Sequence, residues 1–223
     1  MHDFATEDLF AASQEGVANL ECVSLAPGAV LLRGAALDAA APLWVDLQQV
    51  LADAPWRHLI TPGGLRMSVA MSNCGTLGWL SDRRGYRYDR IDPESGRPWP
   101  SLPTSFAALA ARAAAQAGFD GFVPDACLIN RYEPGARLSL HQDRDERETI
   151  HPIVSVSLGL PATFLFGGAR RSDRALRVPL VHGDVVVWGG PARLNYHGVL
   201  PVAGGMHALA GPWRINLTLR RAG

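Results

Sequence analysis

The 223-residue chain contains no lysine: all 21 of its cationic side chains are arginine. Chemistry that needs a Schiff-base lysine or a phosphate-loop lysine is thereby excluded, pyridoxal reactions and P-loop nucleotide hydrolysis among it. Arginine offers instead planar, two-pronged recognition of carboxylate and phosphate. Net charge is also missing, since 21 acids balance the 21 arginines. Any grip on nucleic acid must then come from a local patch rather than from overall attraction. Cysteine is scarce: Cys22, Cys74 and Cys127 are odd in number, far apart and form no C-x-x-C pair. Neither a disulfide framework nor a cysteine zinc site is suggested, and reduced, partly buried thiols are expected. Long apolar runs are absent too, and MHDFATEDLF carries acids where a signal peptide has a basic region. A cytoplasmic protein with no membrane partner is expected.

What is present is a hydrophobic content of 48%, enough for one sizeable core. Residues 1–20 show no strong period and read as a loose extension, with a single domain over 21–223. Leu43, Leu47, Val50 and Leu51 recur at helical spacing over Ala39 to Ala52, with Asp38 as an N-cap. A second helix is predicted from Pro103 to Gly118, its apolar side formed by Phe106, Leu109, Ala110, Ala113 and Ala117. Between them, residues 61–100 are rich in turn residues, arginine and aromatics, a texture that serves function or mobility. From Asp125 onward short strands dominate: DACLINRY, PIVSVSLGL, TFLF, ALRVPLV, DVVVWG and RINLTLR. A mainly β fold follows, a barrel or jelly roll with helices covering one side.

The chemistry begins at LSLHQDRDE. If this stretch is extended, His141 and Asp143 leave one face and can share a metal ion. Two histidines and a carboxylate on one side of a metal leave positions open for substrate and oxygen, as in non-haem iron oxygenases. The third ligand is sought on a later strand, and His197 in RLNYHGV is the choice. A rival, His182-Gly-Asp184, has the same H-x-D form, but its Gly-Asp pair precedes an apolar strand and is explained by a turn. In WRINLTLR, alternation puts Arg214, Asn216, Thr218 and Arg220 on one face of a half-buried strand. Two arginines on that face suit a small dicarboxylate such as 2-oxoglutarate; a solvated face on an edge strand is the alternative. Along CLINRY, Leu128, Asn130 and Tyr132 share a face able to orient a carboxylate beside the metal. SDRRGYRYDR interleaves Arg83, Arg84, Arg87 and Arg90 with Tyr86 and Tyr88, the local basic and aromatic patch that a neutral chain would need. Arginines merely solvating a loop, with Trp79 as core filler, are the alternative there.

Taken together, TPGG, MSVAMSNCGTLGW, IDPESGRPWP, PDACLINRYEPGARLSLHQDRDE, PIVSVSLGLPATFLFGG, HGDVVVWGG, YHG and RINLTLR resemble the AlkB family. These are alkylation-damage repair dioxygenases of the iron and 2-oxoglutarate dependent class, and the bacterial branch is the most similar. The resemblance implies a double-stranded β-helix core over 123–223, preceded over 21–122 by helices and a nucleotide-recognition lid. It implies Fe(II) on His141, Asp143 and His197, and 2-oxoglutarate on Asn130, Tyr132, Arg214, Asn216 and Arg220, with O2 as co-substrate. For the damaged nucleotide it implies Trp79, Tyr86, Arg87, Tyr88, Asp145 and Arg171. The implied reaction is oxidative demethylation of bases of the 1-methyladenine and 3-methylcytosine type by a monomer acting on alkylated single-stranded DNA, with RNA as a further target. Asn195 before YHG, the RRSDR stretch and residues 1–25 depart from the family pattern. Two other readings stay open: the same oxidation of RNA, a protein or a small molecule, and a jelly-roll binding module whose triad holds zinc or nothing.

Overall fold

The computed structural model describes residues 21–223; the expected extension over 1–20 lies outside the described residues. In chain order the strands and helices are β1 (Cys22–Ala26), β2 (Ala29–Leu32), α1 (Ala40–Asp53), β3 (Ala70–Gly75), β4 (Gly78–Asp82), β5 (Gly85–Asp89), α2 (Thr104–Gln116) and β6 (Ala126–Tyr132). They continue with β7 (Leu138–His141), β8 (Ile153–Gly159), β9 (Ala162–Phe166), β10 (Leu176–Leu180), β11 (Val185–Trp188), β12 (His197–Val199) and β13 (Arg214–Arg220). Seven strands form one sheet in the order β1-β2-β11-β8-β13-β6-β3, four form a second as β10-β9-β12-β7, and β4 pairs with β5 as a hairpin. Every pairing is antiparallel, as a jelly roll requires.

The larger sheet is buried on both faces because its central strands alternate two kinds of side chain. Ile215, Leu217 and Leu219 of β13 join Ile129, Val154 and Val156 in a core with Leu43 and Leu47 of α1 and Phe106 and Leu109 of α2. On the other face Leu128, Tyr132, Ile153 and Trp188 pack with Phe164 and Phe166 of the smaller sheet. All seven residues of β13 are buried, and its neighbours are β8 and β6. It is therefore neither half-exposed nor at an edge, and its polar face looks into the barrel rather than into water.

Both predicted helices form, within a residue or two of the expected ends. The cap differs for α1: Ala39 stands at the N-cap with no side-chain bond, and Asp38 does not cap. The preceding turn supplies a backbone acceptor instead, Ala40 N–H bonding to the Leu37 carbonyl at 3.1 Å. At the end of α2, Gly118 has φ +84°, and the N–H groups of Gly118 and Phe119 return to Ala115 and Ala114 at 3.0 and 2.8 Å. This closure needs the left-handed residue that glycine provides. His182-Gly183-Asp184 is the turn expected: Gly183 has φ +87°, and Asp184 accepts from the N–H groups of Val181 and Gly34. Cys74 and Cys127 are free and fully buried rather than partly so, whereas Cys22 is exposed. No helix among the described residues is long and apolar enough to cross a membrane.

Candidate metal centre and co-substrate seat

His141 closes β7 and His197 opens β12, and the two are direct register partners across the smaller sheet. Their rings lie 4.4 Å apart between centroids. Each imidazole donates its Nδ1–H to a backbone carbonyl two residues earlier, His141 to Ser139 at 2.8 Å and His197 to Asn195 at 3.0 Å. Both Nε2 lone pairs are thereby turned toward Asp143, whose carboxylate oxygens stand 3.7 Å from each. Ligand atoms of all three residues fall within 4.8 Å of one another, as a single divalent ion needs. Burial, reinforced by His141, pushes His197 down to about 4, which keeps its ring neutral and ready to bind metal at neutral pH. Asp143 is not on a strand: β7 ends at His141, so the extension assumed for H-x-D holds only at its first residue.

Arg220 holds the Asp143 carboxylate. Its Nε and Nη2 donate to Asp143 Oδ2 at 3.0 and 2.5 Å, and Nε also faces Glu146 Oε1 at 3.3 Å. Burial would raise the Asp143 carboxyl, but Arg220 and then the two imidazoles hold it well below the usual carboxylate range. Glu146 accepts from the Tyr88 hydroxyl at 2.8 Å and faces Arg193 at 3.1 Å. Burial, the largest cause, pushes the Tyr88 phenol well above its ordinary value, so it remains a donor.

Arg214 behaves differently at the opposite end of β13. It is 2% exposed, lies over the Tyr132 ring at 4.8 Å and donates to Ser157 Oγ at 3.2 Å. Among the described residues its Nε and Nη1 have no hydrogen-bond partner. Among the described residues no carboxylate pairs with it, and burial pulls its guanidinium below the ordinary value, whereas Asp143, Tyr88 and Glu146 push Arg220 up against the same burial effect. A buried cation with two idle donors is a strong demand for an incoming carboxylate. Tyr132, driven up to about 12 by burial, lies against it, and Asn130, whose Oδ1 is unpartnered among the described residues, lines the same cavity. Asn216 is already fully engaged, donating to Ser155 and Val156 and accepting from Asn130 and Thr218. It braces the seat from within the sheet.

These residues open on one cavity of about 730 Å³ that also takes in Trp79, Tyr86, Tyr88, Asp145 and Arg171. Trp79 and Tyr86 stack on each other at 5.6 Å and 15°, and the indole N–H bonds to Asp145 at 2.9 Å. They form one platform rather than a slot with a ring on either side. Arg87 is the exception among the site residues expected from sequence: it does not line this cavity. It alternates to the other face of β5, donates to Asp82 at 2.9 Å and lines a neighbouring hollow. Arg84 also bonds Asp82, so half of the basic patch is spent inside the hairpin. Sequence reasoning missed Glu146 and Arg193, and also Arg66, Arg137 and Arg144 at the cavity wall. Single arginines in separate loops carry no local signal; the RDE that follows HQD was the one available hint for Glu146.

The model of the 2OG-Fe(II) oxygenase superfamily matches residues 28–220. The alpha-ketoglutarate-dependent dioxygenase AlkB of Salmonella typhimurium is 58% identical across 89% of this chain and 92% of its own length. The DNA N(6)-methyladenine demethylase ALKBH1C of Arabidopsis thaliana is 33% identical across 65% of this chain and 38% of its own. The solved structure of OsALKBH1 aligns with a TM-score of 0.78 at 29% identity, covering 90% of this chain and 100% of that one. Over nearly all of its described length, then, the chain belongs to the 2OG-Fe(II) oxygenase superfamily, as an iron- and 2-oxoglutarate-dependent dioxygenase of the AlkB type that uses O2 as its second co-substrate.

Proposed function

We propose that the chain repairs alkylated DNA by oxidising N-methyl groups on bases of the 1-methyladenine and 3-methylcytosine type, with His141, Asp143 and His197 holding the iron. The observation that carries this reading is one cavity containing both the three-ligand cluster and a buried arginine with two idle donors. Bound there, Fe(II) would activate O2, the oxidant, so that 2-oxoglutarate is converted to succinate and CO2 and the methyl carbon leaves as formaldehyde.

The protein's own part is placement. Arg214 receives the distal carboxylate of 2-oxoglutarate on Nε and Nη1, with Tyr132 and Asn130 beside it and Asn216 fixing Asn130. Arg220 keeps Asp143 ionised and aimed at the two imidazoles. A methyl on adenine N1 or cytosine N3 occupies the pairing edge, so the base must be single-stranded or flipped out of the stack. Such a base is cationic. The Trp79–Tyr86 platform offers it a π face and Asp145 an opposite charge, with Tyr88 at the inner wall and Arg171 at the mouth for phosphate. A monomer working in the cytoplasm on single-stranded DNA, and on RNA with the same lesions, completes the proposal.

The test is incubation of a 1-methyladenine oligonucleotide with Fe(II), 2-oxoglutarate and ascorbate, comparing native protein with His141→Ala. Stoichiometric formaldehyde and restored adenine are expected from the native protein and neither from the variant. Formaldehyde from methylated RNA, a protein or a small molecule, with none from the DNA oligonucleotide, would replace the substrate assignment. Absence of succinate under all conditions would leave a binding module.

A further inference from the structure

We infer that Arg193 is a positioning residue for the metal cluster, one buried guanidinium that sets the spacing between Asp143 and His197. The inference rests on the proposed ligand roles of His141, Asp143 and His197.

The need arises because Asp143 lies beyond the end of β7. No ladder of sheet hydrogen bonds holds the chain there, so its place must be set by side chains. Arg193 Nη1 donates to the Asp143 carbonyl at 2.7 Å and Nε to the His151 carbonyl at 2.9 Å, while Nη2 faces Glu146 Oε2 at 3.1 Å. Glu146 in turn faces Arg220, the residue bonded to Asp143 Oδ2. Arg193 therefore acts on Asp143 twice, directly at its backbone and by way of Glu146 and Arg220 at its carboxylate.

The other end of the same side chain is rooted beside His197. Arg193 follows the short 3-10 turn Gly190–Ala192, and Asn195, two residues later, accepts the His197 Nδ1–H. A second stitch joins the same two segments, Gln142 Nε2 donating to the Leu194 carbonyl at 2.6 Å. Arg193 is 3% exposed, so water cannot stand in for its fork. Within the network two arginines, Arg193 and Arg220, balance two acids, Asp143 and Glu146. Losing Arg193 leaves a surplus negative charge and two unpaired carbonyls around the loop that presents a metal ligand.

Co(II), bound anaerobically in place of Fe(II), gives an affinity and a visible spectrum that need no turnover. Arg193→Met is expected to weaken Co(II) binding roughly 10- to 100-fold and to shift the visible band, with Arg193→Lys between it and native because a lysine lacks the fork. Arg57→Met serves as control: it removes a different buried pair, Arg57 with Asp92 at 2.5 Å, and should lower Tm while leaving Co(II) affinity and spectrum unchanged. Folding of each variant is checked by near-ultraviolet circular dichroism, and Arg193→Lys decides the matter if Arg193→Met does not fold. Arg193 variants that are folded and bind Co(II) within about twofold of native, with an unchanged band, would overturn the inference. Failure of the ligand assignment looks different: native protein and His141→Ala would then bind Co(II) alike.

Discussion

His141 and His197 are register partners on neighbouring strands of the smaller sheet, whereas Trp79, Tyr86 and Tyr88 stand on a two-stranded hairpin that meets the metal loop through side chains, Trp79 to Asp145 and Tyr88 to Glu146. The first region is set by pairing within the barrel's own sheet; the second pairs only with itself, anchored by Leu80 packed against Trp99 and by Asn73 on the Trp79 backbone, and reaches the metal loop through two side-chain bonds. Oxidation chemistry needs ligand atoms fixed to fractions of an ångström. Substrate entry needs a surface that can yield, and such surfaces come from the less stable parts of a fold. The contrast teaches that changes on the sheet should remove chemistry, while changes on the hairpin should remove binding and leave chemistry running.

The strongest way to break that contrast is His141→Ala, which is expected to abolish both demethylation and the 2-oxoglutarate turnover that occurs without substrate; retention of either in a succinate assay would contradict it. Next comes the acid response of the metal-free protein. His197 is held neutral down to about 4 by burial, whereas in the unfolded chain it protonates near its ordinary value of 6.5. Between these values the unfolded state binds the extra proton, so stability is present above about 6.5 and falls as pH drops toward about 4, by about 3 kcal/mol. Urea unfolding of the metal-free protein at pH 7 and pH 4.5 measures this, and His197→Asn should flatten the difference.

Arg214→Met tests the co-substrate seat. Loss of two charge-assisted bonds should raise the KM for 2-oxoglutarate about 100-fold while DNA binding stays unchanged. Trp79→Ala sharpens the comparison from the hairpin side: oligonucleotide affinity should fall by about 1–3 kcal/mol, with uncoupled 2-oxoglutarate turnover still measurable. Equal loss of both activities would assign Trp79 to folding. Smallest of all, Arg84→Ala should leave the Tm essentially unchanged at both low and high salt, because its pair with Asp82 stands in solvent and is screened; thermal unfolding at the two salt concentrations reads it.

Much of the larger sheet could be read from residue alternation. Each of the six runs picked out after Asp125 contains a strand, marked by alternation in the strands of five to seven residues and by the unbroken apolar VVVW in the four-residue β11. The strands that carry the histidines could not be found that way. β7 has four residues and β12 three, too few for a period, and both are held by neighbours rather than by propensity. The metal cluster was legible through H-x-D and the arginine strand, and the rival H-x-D was set aside by its Gly-Asp turn, which the bonds to Val181 and Gly34 explain. Glu146 and Arg193 stayed hidden because an ion pair between distant loops imprints no spacing on either one. Arg87 is the one expected substrate residue that stands outside the shared cavity, because its guanidinium bonds Asp82 across the hairpin.

Strand β13, which carries the proposed co-substrate residues on one side, packs the helices on the other, with Leu217 between Asn216 and Thr218 and no residue exposed along its length. Engineering that enlarges the 2-oxoacid pocket through this strand will therefore disturb the foundation of the whole barrel. Libraries aimed at bulkier co-substrate analogues would do better to vary Leu128 or Ser157 on the adjoining strands, and to leave the shared beam untouched.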